Sequence, residues 1–315
     1  MHNKKRNVKR KYFFLMFLIL IVLITGCQNN NPPTTDGPFT GGTSGVELSF
    51  VNLAPPSEFS QTDQVKVKVL LKNKGETRIG VGNAKARLFG VNLESFGLPN
   101  VYKSNLGNIE AAGEFTAEGG EQEIDFGKIN YKLQIINQET FSLSARLCYP
   151  YQTIMKTDAC IQSSTTQQTQ GEVCSLAGEK IGKGGVSSAP VQITSLTEQY
   201  RGIDQVRFDI KIENKGKGQV YSIDAKCEDL DKDELRFENK NKVKVKIKNP
   251  VNVKCGFRSG EQSNEGTITL DETGLAILSC WKDVEEPVVE KLDVQLDYLY
   301  REQVTKQIKI LQSRR

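Results

Sequence analysis

Apolar and polar residues alternate in two segments of this chain, residues 65–71 and 206–212, with Leu70 as the one apolar residue at an intervening position. In both segments every second residue is apolar, and each is followed by Asn-Lys-Gly, at 73–75 and 214–216. Because successive side chains of a strand point to opposite faces, this alternation predicts a half-buried β-strand. Asn-Lys-Gly is typical of the turn that ends such a strand. The two segments therefore predict an internal repeat.

The C-terminal ends of the two repeats also match. The sequence LCYPY in the first copy corresponds to LDYLY in the second. We predict a hairpin in the first copy, closed by a disulfide between Cys148 and Cys160, because cross-strand neighbours lie at the distance that a disulfide spans. The second copy has Asp297 and Lys309 at the equivalent positions, and an opposite-charge pair is suited to the same cross-strand geometry.

Short alternating runs separated by Gly, Asn, Asp and Pro recur along the rest of the chain, and no long segment has the 3.6-residue periodicity of a helix. This pattern is typical of antiparallel β-sandwiches. We therefore predict an all-β fold with two tandem antiparallel sandwiches. The predicted sandwich domains are residues 46–162 and 189–312, and the Gln-, Ser- and Gly-rich residues 163–188 are the predicted linker.

The strand pattern VxVxVxxKNKGE, followed by ARLFG, resembles a known class of repeat. It is similar to the immunoglobulin-like repeats of prokaryotic surface proteins, of the CARDB type and of related archaeal S-layer proteins. The resemblance implies that both sandwiches are immunoglobulin-like. It also implies extracellular display, adhesion or a spacer role, and it carries over no catalytic residue.

Residues 1–27 have the composition of a secretory signal. Six basic residues lie within 1–11, an unbroken apolar run extends from Phe13 to Ile24, and small residues precede Cys27. The end of this segment resembles the lipobox of secreted lipoproteins, which implies a lipid on Cys27 after cleavage. The alternative is an uncleaved anchor, for which the run is short, since a bilayer span needs about 20 residues. Both alternatives place the chain on the extracytoplasmic face of a cell membrane.

The segment that follows the signal is rich in Asn, Pro, Thr and Gly. Residues 28–45 contain one bulky apolar residue, Phe39. Such a composition buries too little apolar surface to offset the entropy lost on ordering the chain. We therefore predict a disordered stalk between the membrane and the first sandwich.

The charge of the chain changes when the signal is set aside. The chain has 42 Lys and Arg against 38 Asp and Glu, but six of the bases lie in residues 1–11. From Cys27 onward the formal charge is −2, which disfavours a nucleic-acid partner. The only histidine is His2, so histidine triads and histidine metal ligands are excluded after cleavage. We expect no enzyme and no cofactor.

Six cysteines follow Cys27, and an even number in an exported chain predicts disulfides. They are Cys148, Cys160, Cys174, Cys227, Cys255 and Cys280. Beside the predicted hairpin disulfide, we favour Cys255–Cys280 between two short strand patterns, which leaves Cys174–Cys227. A CxxC pair is missing from the sequence, so we expect neither a zinc site nor a redox motif.

An acidic segment with Asp229, Asp231 and Asp233 at alternate positions begins like a calcium loop. An EF-hand would need glycine where Glu234 stands and a bidentate glutamate where Lys240 stands. We prefer the interpretation of an acidic loop that faces water and predict no metal, with calcium as the alternative.

Five lysines alternate with Asn, Val and Ile in one predicted strand, so that a single face of the strand carries all of them. They are Lys240, Lys242, Lys244, Lys246 and Lys248. This face could bind anionic headgroups or an acidic surface polymer. The interpretation we prefer is a solvent face that lysine protects from aggregation.

Tyrosines recur at alternate positions of both copies, and the chain has a single tryptophan. Tyr149, Tyr151, Tyr298, Tyr300 and Trp281 could form a glycan-binding aromatic surface. Because both copies keep the two tyrosines, we favour packing inside the sandwiches.

We predict a non-catalytic, membrane-anchored cell-surface protein that is built from immunoglobulin-like repeats and acts as a binding protein or as a spacer. Its predicted partners are the membrane, other envelope proteins or a surface polymer. One alternative is a structural subunit of envelope assembly, which exposed unpaired edge strands would favour. The other is an extracellular hydrolase that uses carboxylates alone, which a deep cleft with two acidic side chains would favour.

Overall fold

β-strands make up most of the residues that the computed structural model describes, which are 37–113, 118–170, 173–257, 260 and 262–313. The all-β fold expected from the alternation is confirmed. These described residues belong to one compact unit. The predicted signal segment, with the cysteine expected to carry a lipid, lies outside the described residues.

Within the described residues the strands are numbered β1 to β16 in chain order. They span Val46–Phe50, Glu58–Ser60, Lys66–Asn73, Lys85–Phe89, Lys103–Ser104, Glu121–Lys128, Gln138–Ile161, Val191–Arg201, Gln205–Asn214, Gln219–Tyr221, Lys242–Asn249, Lys254–Gly256, Gln262–Ser263, Glu265–Thr269, Leu275–Asp283 and Val288–Leu311. Short α-helices span Ser164–Gln170 and Asp233–Asn239, and a 3-10 helix spans Asp229–Asp231.

The strands form three sheets. The first has the strand order β1-β3-β6, and the third has the order β13-β12-β15-β9-β8. The central sheet has the order β14-β11-β16-β7-β4-β5, with β10 and β2 also paired to β16. All these pairs are antiparallel except that of β2 with β16. Buried apolar residues of the three sheets belong to one hydrophobic cluster, so the sheets pack as layers around a shared core.

Strands β3 and β9 are the two that the alternation predicts, and the prediction is confirmed. In β3 the side chains of Val67, Val69 and Leu71 are buried, and in β9 those of Phe208 and Ile210 are buried. The lysines and acids between them face outward. Burying each large apolar side chain stabilises the fold by about 1.5–3 kcal/mol, which fixes the face that each strand turns to the core.

The predicted hairpin at the end of each repeat is wrong, because each of these segments is one continuous strand. Strands β7 and β16 have 24 residues each. They pair with one another along their whole length, from Gln138 opposite Leu311 to Ile161 opposite Val288. At about 3.3 Å per residue, this pair of strands is about 75 Å long.

The paired strands relate the two repeats by a local two-fold axis. Tyr149 pairs with Tyr300, and Tyr151 pairs with Tyr298. Since equivalent residues are 149 positions apart, exchanging the repeats exchanges these two pairs. The pair of Pro150 with Leu299 is exchanged with itself and marks the axis. The two repeats therefore share their central sheet, an arrangement that the expectation of two tandem sandwiches did not include.

The continuous strands also change the disulfide pairing. Cys148 and Cys160 lie on one extended strand, about 40 Å apart, so the predicted bond between them cannot form. The structure instead joins Cys148 to Cys227 and Cys160 to Cys174, so the predicted Cys174–Cys227 bond is wrong as well. The third bond, Cys255–Cys280, is confirmed.

The described part of the predicted stalk, residues 37–45, is hydrogen-bonded to loop residues. Backbone N–H groups of Gly37 and Phe39 donate to the carbonyls of Lys183 and Gly184, at 2.7 and 3.1 Å. The carboxylate of Glu76 accepts from the backbone N–H groups of residues 40, 41 and 188. The C-terminal end of the stalk is thus fastened to the predicted linker between the repeats. The rest of the stalk lies outside the described residues.

Candidate functional site

The lysines of the predicted polyanion-binding face lie on and just before β11, and the apolar residues between them are buried. Lys244 and Lys246 both form ion pairs with Glu265 of β14, with Nζ–O distances of 2.8 and 3.1 Å. Asp297 lies opposite Lys244 on β16. These two acids offset part of the charge of the five lysines. Polyanion binding by these lysines stays a prediction.

The three aspartates of the calcium candidate do not converge. Asp229 forms an ion pair with Lys232 at 3.3 Å, Asp233 pairs with Arg236, and Asp231 is bound by other cations. The segment is a 3-10 helix followed by a short α-helix. Across the described part of the chain, no group of three or more His, Cys, Asp or Glu side chains could hold a metal ion.

Asp231 instead joins the second repeat to the first. Its Oδ1 accepts a hydrogen bond from Nη1 of Arg146 at 2.7 Å, and its Oδ2 accepts from Nη1 of Arg87. The hydroxyl of Tyr102 donates to Oδ2 at 2.9 Å. Burial, followed by the nearby Asp231 charge, raises the pKa of Tyr102 to about 12, so this hydroxyl keeps the proton it donates. We call these four residues the aspartate clamp.

The backbone segment that carries Asp231 is held in place by further contacts. Leu230 is fully buried, and its carbonyl accepts from Nη1 of Arg301 at 3.0 Å. Nη2 of Arg301 donates to the hydroxyl of Tyr221 at 2.6 Å. The disulfide between Cys148 and Cys227 ties the same segment to β7. Asp231 is therefore presented to the two arginines from a rigid segment.

Arg87 extends from the aspartate clamp into a surface cleft of about 670 Å³. Its Nη2 donates to Oδ1 of Asn100 at 2.8 Å, so its guanidinium is held between Asn100 and Asp231. Lys132 and Glu94 line the same cleft. We call this the Arg87 cleft. It combines fixed hydrogen-bond donors with one carboxylate.

Aromatic packing holds the walls of the Arg87 cleft. Phe96, on the loop that forms one wall, makes edge-to-face contacts with Tyr131 and Phe141, with ring centroids 4.9 and 5.0 Å apart. The backbone N–H of Lys132 donates to the carbonyl of Ser95 at 2.9 Å. The loop and the segment that carries Lys132 are thus fastened to each other, and the cleft has a defined shape without a ligand.

The four tyrosines meet at the local two-fold axis and are buried, so the packing interpretation is confirmed for them. Tyr149 lies 5.6 Å from Tyr151 and 5.9 Å from Tyr300, measured between ring centroids, and Tyr298 lies 6.4 Å from Tyr300. All these contacts are edge-to-face. Trp281 lies away from them on the third sheet, where the guanidinium of Arg201 stacks on its ring at 3.8 Å.

The tyrosines explain the Asn-Lys-Gly turn that both repeats share. The hydroxyl of Tyr151 donates to Oδ1 of Asn73 at 3.0 Å, and a Cβ added at Gly75 would clash with that hydroxyl. In the second repeat the hydroxyl of Tyr300 donates to Oδ1 of Asn214 at 3.4 Å. The motif therefore forms the turn and also accepts a hydrogen bond from a buried tyrosine.

Sequence reasoning missed two buried carboxylates. Glu198 accepts from the backbone N–H of Cys160 at 3.0 Å and lies 3.2 Å from Nζ of Lys180. Burial raises its pKa to about 7, against the opposing effect of Lys180. Burial likewise raises the pKa of Glu302 to about 7. The one available signal was that Glu302 has the strand parity of the buried Tyr300.

The missed cleft is lined by residues within 87–100 and by Lys132, and no sequence motif marks these residues as a binding site. The aspartate clamp likewise joins residues that no motif connects.

Among the described residues, no helix is long and apolar enough to span a membrane.

Comparisons with known proteins add little. No family model matches the chain, and no curated protein matches it. The solved partial N-terminal region of an enterococcal surface protein is 8% identical, with coverage of 84% of this chain and 88% of that chain and a TM-score of 0.16. The enterotoxigenic E. coli CFA/I adhesin CfaE is 9% identical, with coverage of 89% and 86% and a TM-score of 0.10. TM-scores of this size assign neither fold nor function.

Proposed function

We propose that this chain is a non-catalytic binding or spacer protein on the outer face of a cell membrane, held there by its N-terminal segment. The observation that carries the proposal is the full-length pairing of β7 with β16. A sheet shared by both repeats cannot bend at the linker as two separate domains would. It provides a stiff body about 75 Å long.

The disulfides support the proposed location. Three bonds join six cysteines, and such bonds form and persist in oxidising compartments outside the cytoplasm. The mechanism is geometric. The lipid or anchor holds the N-terminal end, and the disulfides keep the paired repeats folded outside the cytoplasm.

Neither alternative function gains support from the described residues. The terminal strand β6 carries Glu121, Glu123 and Asp125, and charged side chains on an edge strand oppose the addition of another strand. An assembly subunit that adds a strand from a partner would use an edge strand without such charges. The Arg87 cleft is lined by one carboxylate, Glu94, whereas a carboxylate hydrolase needs a pair.

Localisation and processing test the proposal. Intact cells that express the chain are treated with external protease, membranes are fractionated, and the mass of the mature N-terminus is measured for the wild type, Cys27→Ala and Thr34→Ala. We expect protease-accessible, membrane-bound, lipid-modified protein in the wild type and in Thr34→Ala, and unprocessed or released protein in Cys27→Ala. Complete protection from external protease overturns the proposal. A wild-type protein that is accessible and membrane-bound but uncleaved and without lipid would show that residues 1–27 are a signal anchor.

A further inference from the structure

We propose that the Arg87 cleft binds an acidic saccharide, a sugar chain that bears one carboxylate per residue. This inference rests on the proposed surface function and names a ligand class for it. Arg87 and Lys132 line the cleft together with a single acid, Glu94. Asp231 pairs with Arg87 and with Arg146, which packs on Phe89 of the lining. With these two residues included, the cleft and its surroundings keep an excess of one positive charge, which favours an anionic ligand.

Arg87 is preorganised to recognise a carboxylate. Asp231 and Asn100 accept hydrogen bonds from two of its nitrogens, which fixes the plane of the guanidinium. An arginine side chain has five N–H donors, so donors are left for a ligand. Fixing the side chain in advance lowers the entropy cost of binding. The aspartate clamp thus makes the second repeat a positioning element for a cleft of the first.

The free groups of the cleft complete the recognition. Lys132 and Glu94 are exposed at its rim, and neither side chain has an ion pair or hydrogen bond among the described residues. The Lys132 ammonium group can pair with a second carboxylate of the saccharide. Glu94 and Asn92 supply acceptors for hydroxyl groups. Phe89 lies at the back of the cleft, under the guanidinium of Arg146 at 4.6 Å, and gives the sugar ring an apolar contact.

A sugar acid fits this lining better than a dense polyanion. Polyphosphate and nucleic acid carry closely spaced charges, which the Glu94 carboxylate would repel. A uronic acid has hydroxyl groups, which need both donors and acceptors, and one charge for each ring. The cleft volume of about 670 Å³ lies in the range of ligand sites, roughly 300–1,000 Å³, and is large enough for about two sugar rings.

Calorimetric titration tests the inference on the full chain in detergent micelles. The probes are tetragalacturonate, neutral galactotetraose and inorganic phosphate, and the variants are Lys132→Gln and, as a matched control on β11, Lys248→Gln. We expect tetragalacturonate to bind, phosphate to leave its affinity unchanged, and galactotetraose to bind at least fivefold more weakly. Lys132→Gln should weaken tetragalacturonate binding about fivefold, the effect of one partly exposed ion pair. Lys248→Gln should change it less than twofold.

Each other outcome overturns the inference. If tetragalacturonate does not bind, or Lys132→Gln leaves its affinity unchanged, the cleft is not the site. If Lys248→Gln loses as much affinity for tetragalacturonate as Lys132→Gln, or more, the ligand binds to the lysine face of β11. If phosphate competes with tetragalacturonate, the cleft binds simple anions and does not recognise a sugar. The titration does not depend on where the chain resides, so its failure leaves the surface location standing. Failure of the localisation test likewise leaves the titration result intact.

Discussion

Replacing Glu302 by glutamine should make the protein more stable above pH 7. Glu302 lies on β16 beside the tyrosine cluster, and its Oε1 is buried without a hydrogen-bond partner among the described residues. Burial raises its pKa from 4.5 to about 7, although a hydrogen bond from the backbone of Leu48 acts in the opposite direction. The negative charge of Glu47 adds to the rise.

The size of the effect follows from the raised pKa. Below pH 4.5 the carboxyl is protonated in both the folded and the unfolded chain, so its burial as a charge does not lower the free energy of unfolding. As the pH rises from 4.5 to about 7, the unfolded chain releases this proton and the folded chain retains it, so stability falls. Above pH 7 the cost is constant at about 3 kcal/mol. Glutamine keeps the shape and carries no charge, so Glu302→Gln removes this cost.

Urea unfolding at pH 4 and pH 8 measures the difference. We expect Glu302→Gln to match the wild type within about 0.5 kcal/mol at pH 4 and to exceed it by about 2–3 kcal/mol at pH 8. The control Glu121→Gln, on the exposed face of β6, should change stability by less than about 0.5 kcal/mol at both pH values. Equal stabilisation at the two pH values, or a loss at pH 8, would refute the reasoning.

Three further outcomes are expected. Replacing Cys148 and Cys227 together by alanine should lower the free energy of unfolding by about 4.5 kcal/mol in non-reducing urea, because the bond closes a 79-residue loop; a loss below about 1 kcal/mol would contradict this account. Gly75→Ala should lower the melting temperature, since its Cβ would clash with the Tyr151 hydroxyl and with the carbonyls of Ser44 and Ser188. Gly113→Ala meets nothing within 4 Å and should leave the melting temperature unchanged; equal shifts would count against this close packing at Gly75. Asp231→Ala should cost about 3–5 kcal/mol in urea, because two partly buried arginines lose their anion, and a loss below about 0.5 kcal/mol would remove the clamp.

The candidate site was only partly accessible from sequence. The alternation of Asp229, Asp231 and Asp233 favours an acidic loop that faces water, with a calcium site as the alternative. The structure gives them different partners, because a 3-10 helix directs the side chain of Asp231 toward Arg87 and Arg146. Both arginines come from the first repeat, more than 80 positions away, so no local pattern connects them to the aspartate.

Local alternation by itself determined the strand character of β3 and β9, the face that each turns to the core, and the burial of the tyrosines. These properties follow from neighbouring residues, since side chains of a strand alternate between two faces. The turn that ends β3 was also identified, although the hydrogen bond that it accepts from Tyr151 was not.

Only the tertiary structure decided which strands pair. Two matching segments containing a cysteine pair or a charge pair favoured hairpins, whereas β7 and β16 are each continuous and pair with each other. The two arrangements have the same local alternation and differ in long-range contacts, which a local pattern does not encode. The disulfides follow from that choice, because a continuous β7 separates Cys148 from Cys160 and brings Cys148 to Cys227. The shared sheet and the aspartate clamp exist for the same reason.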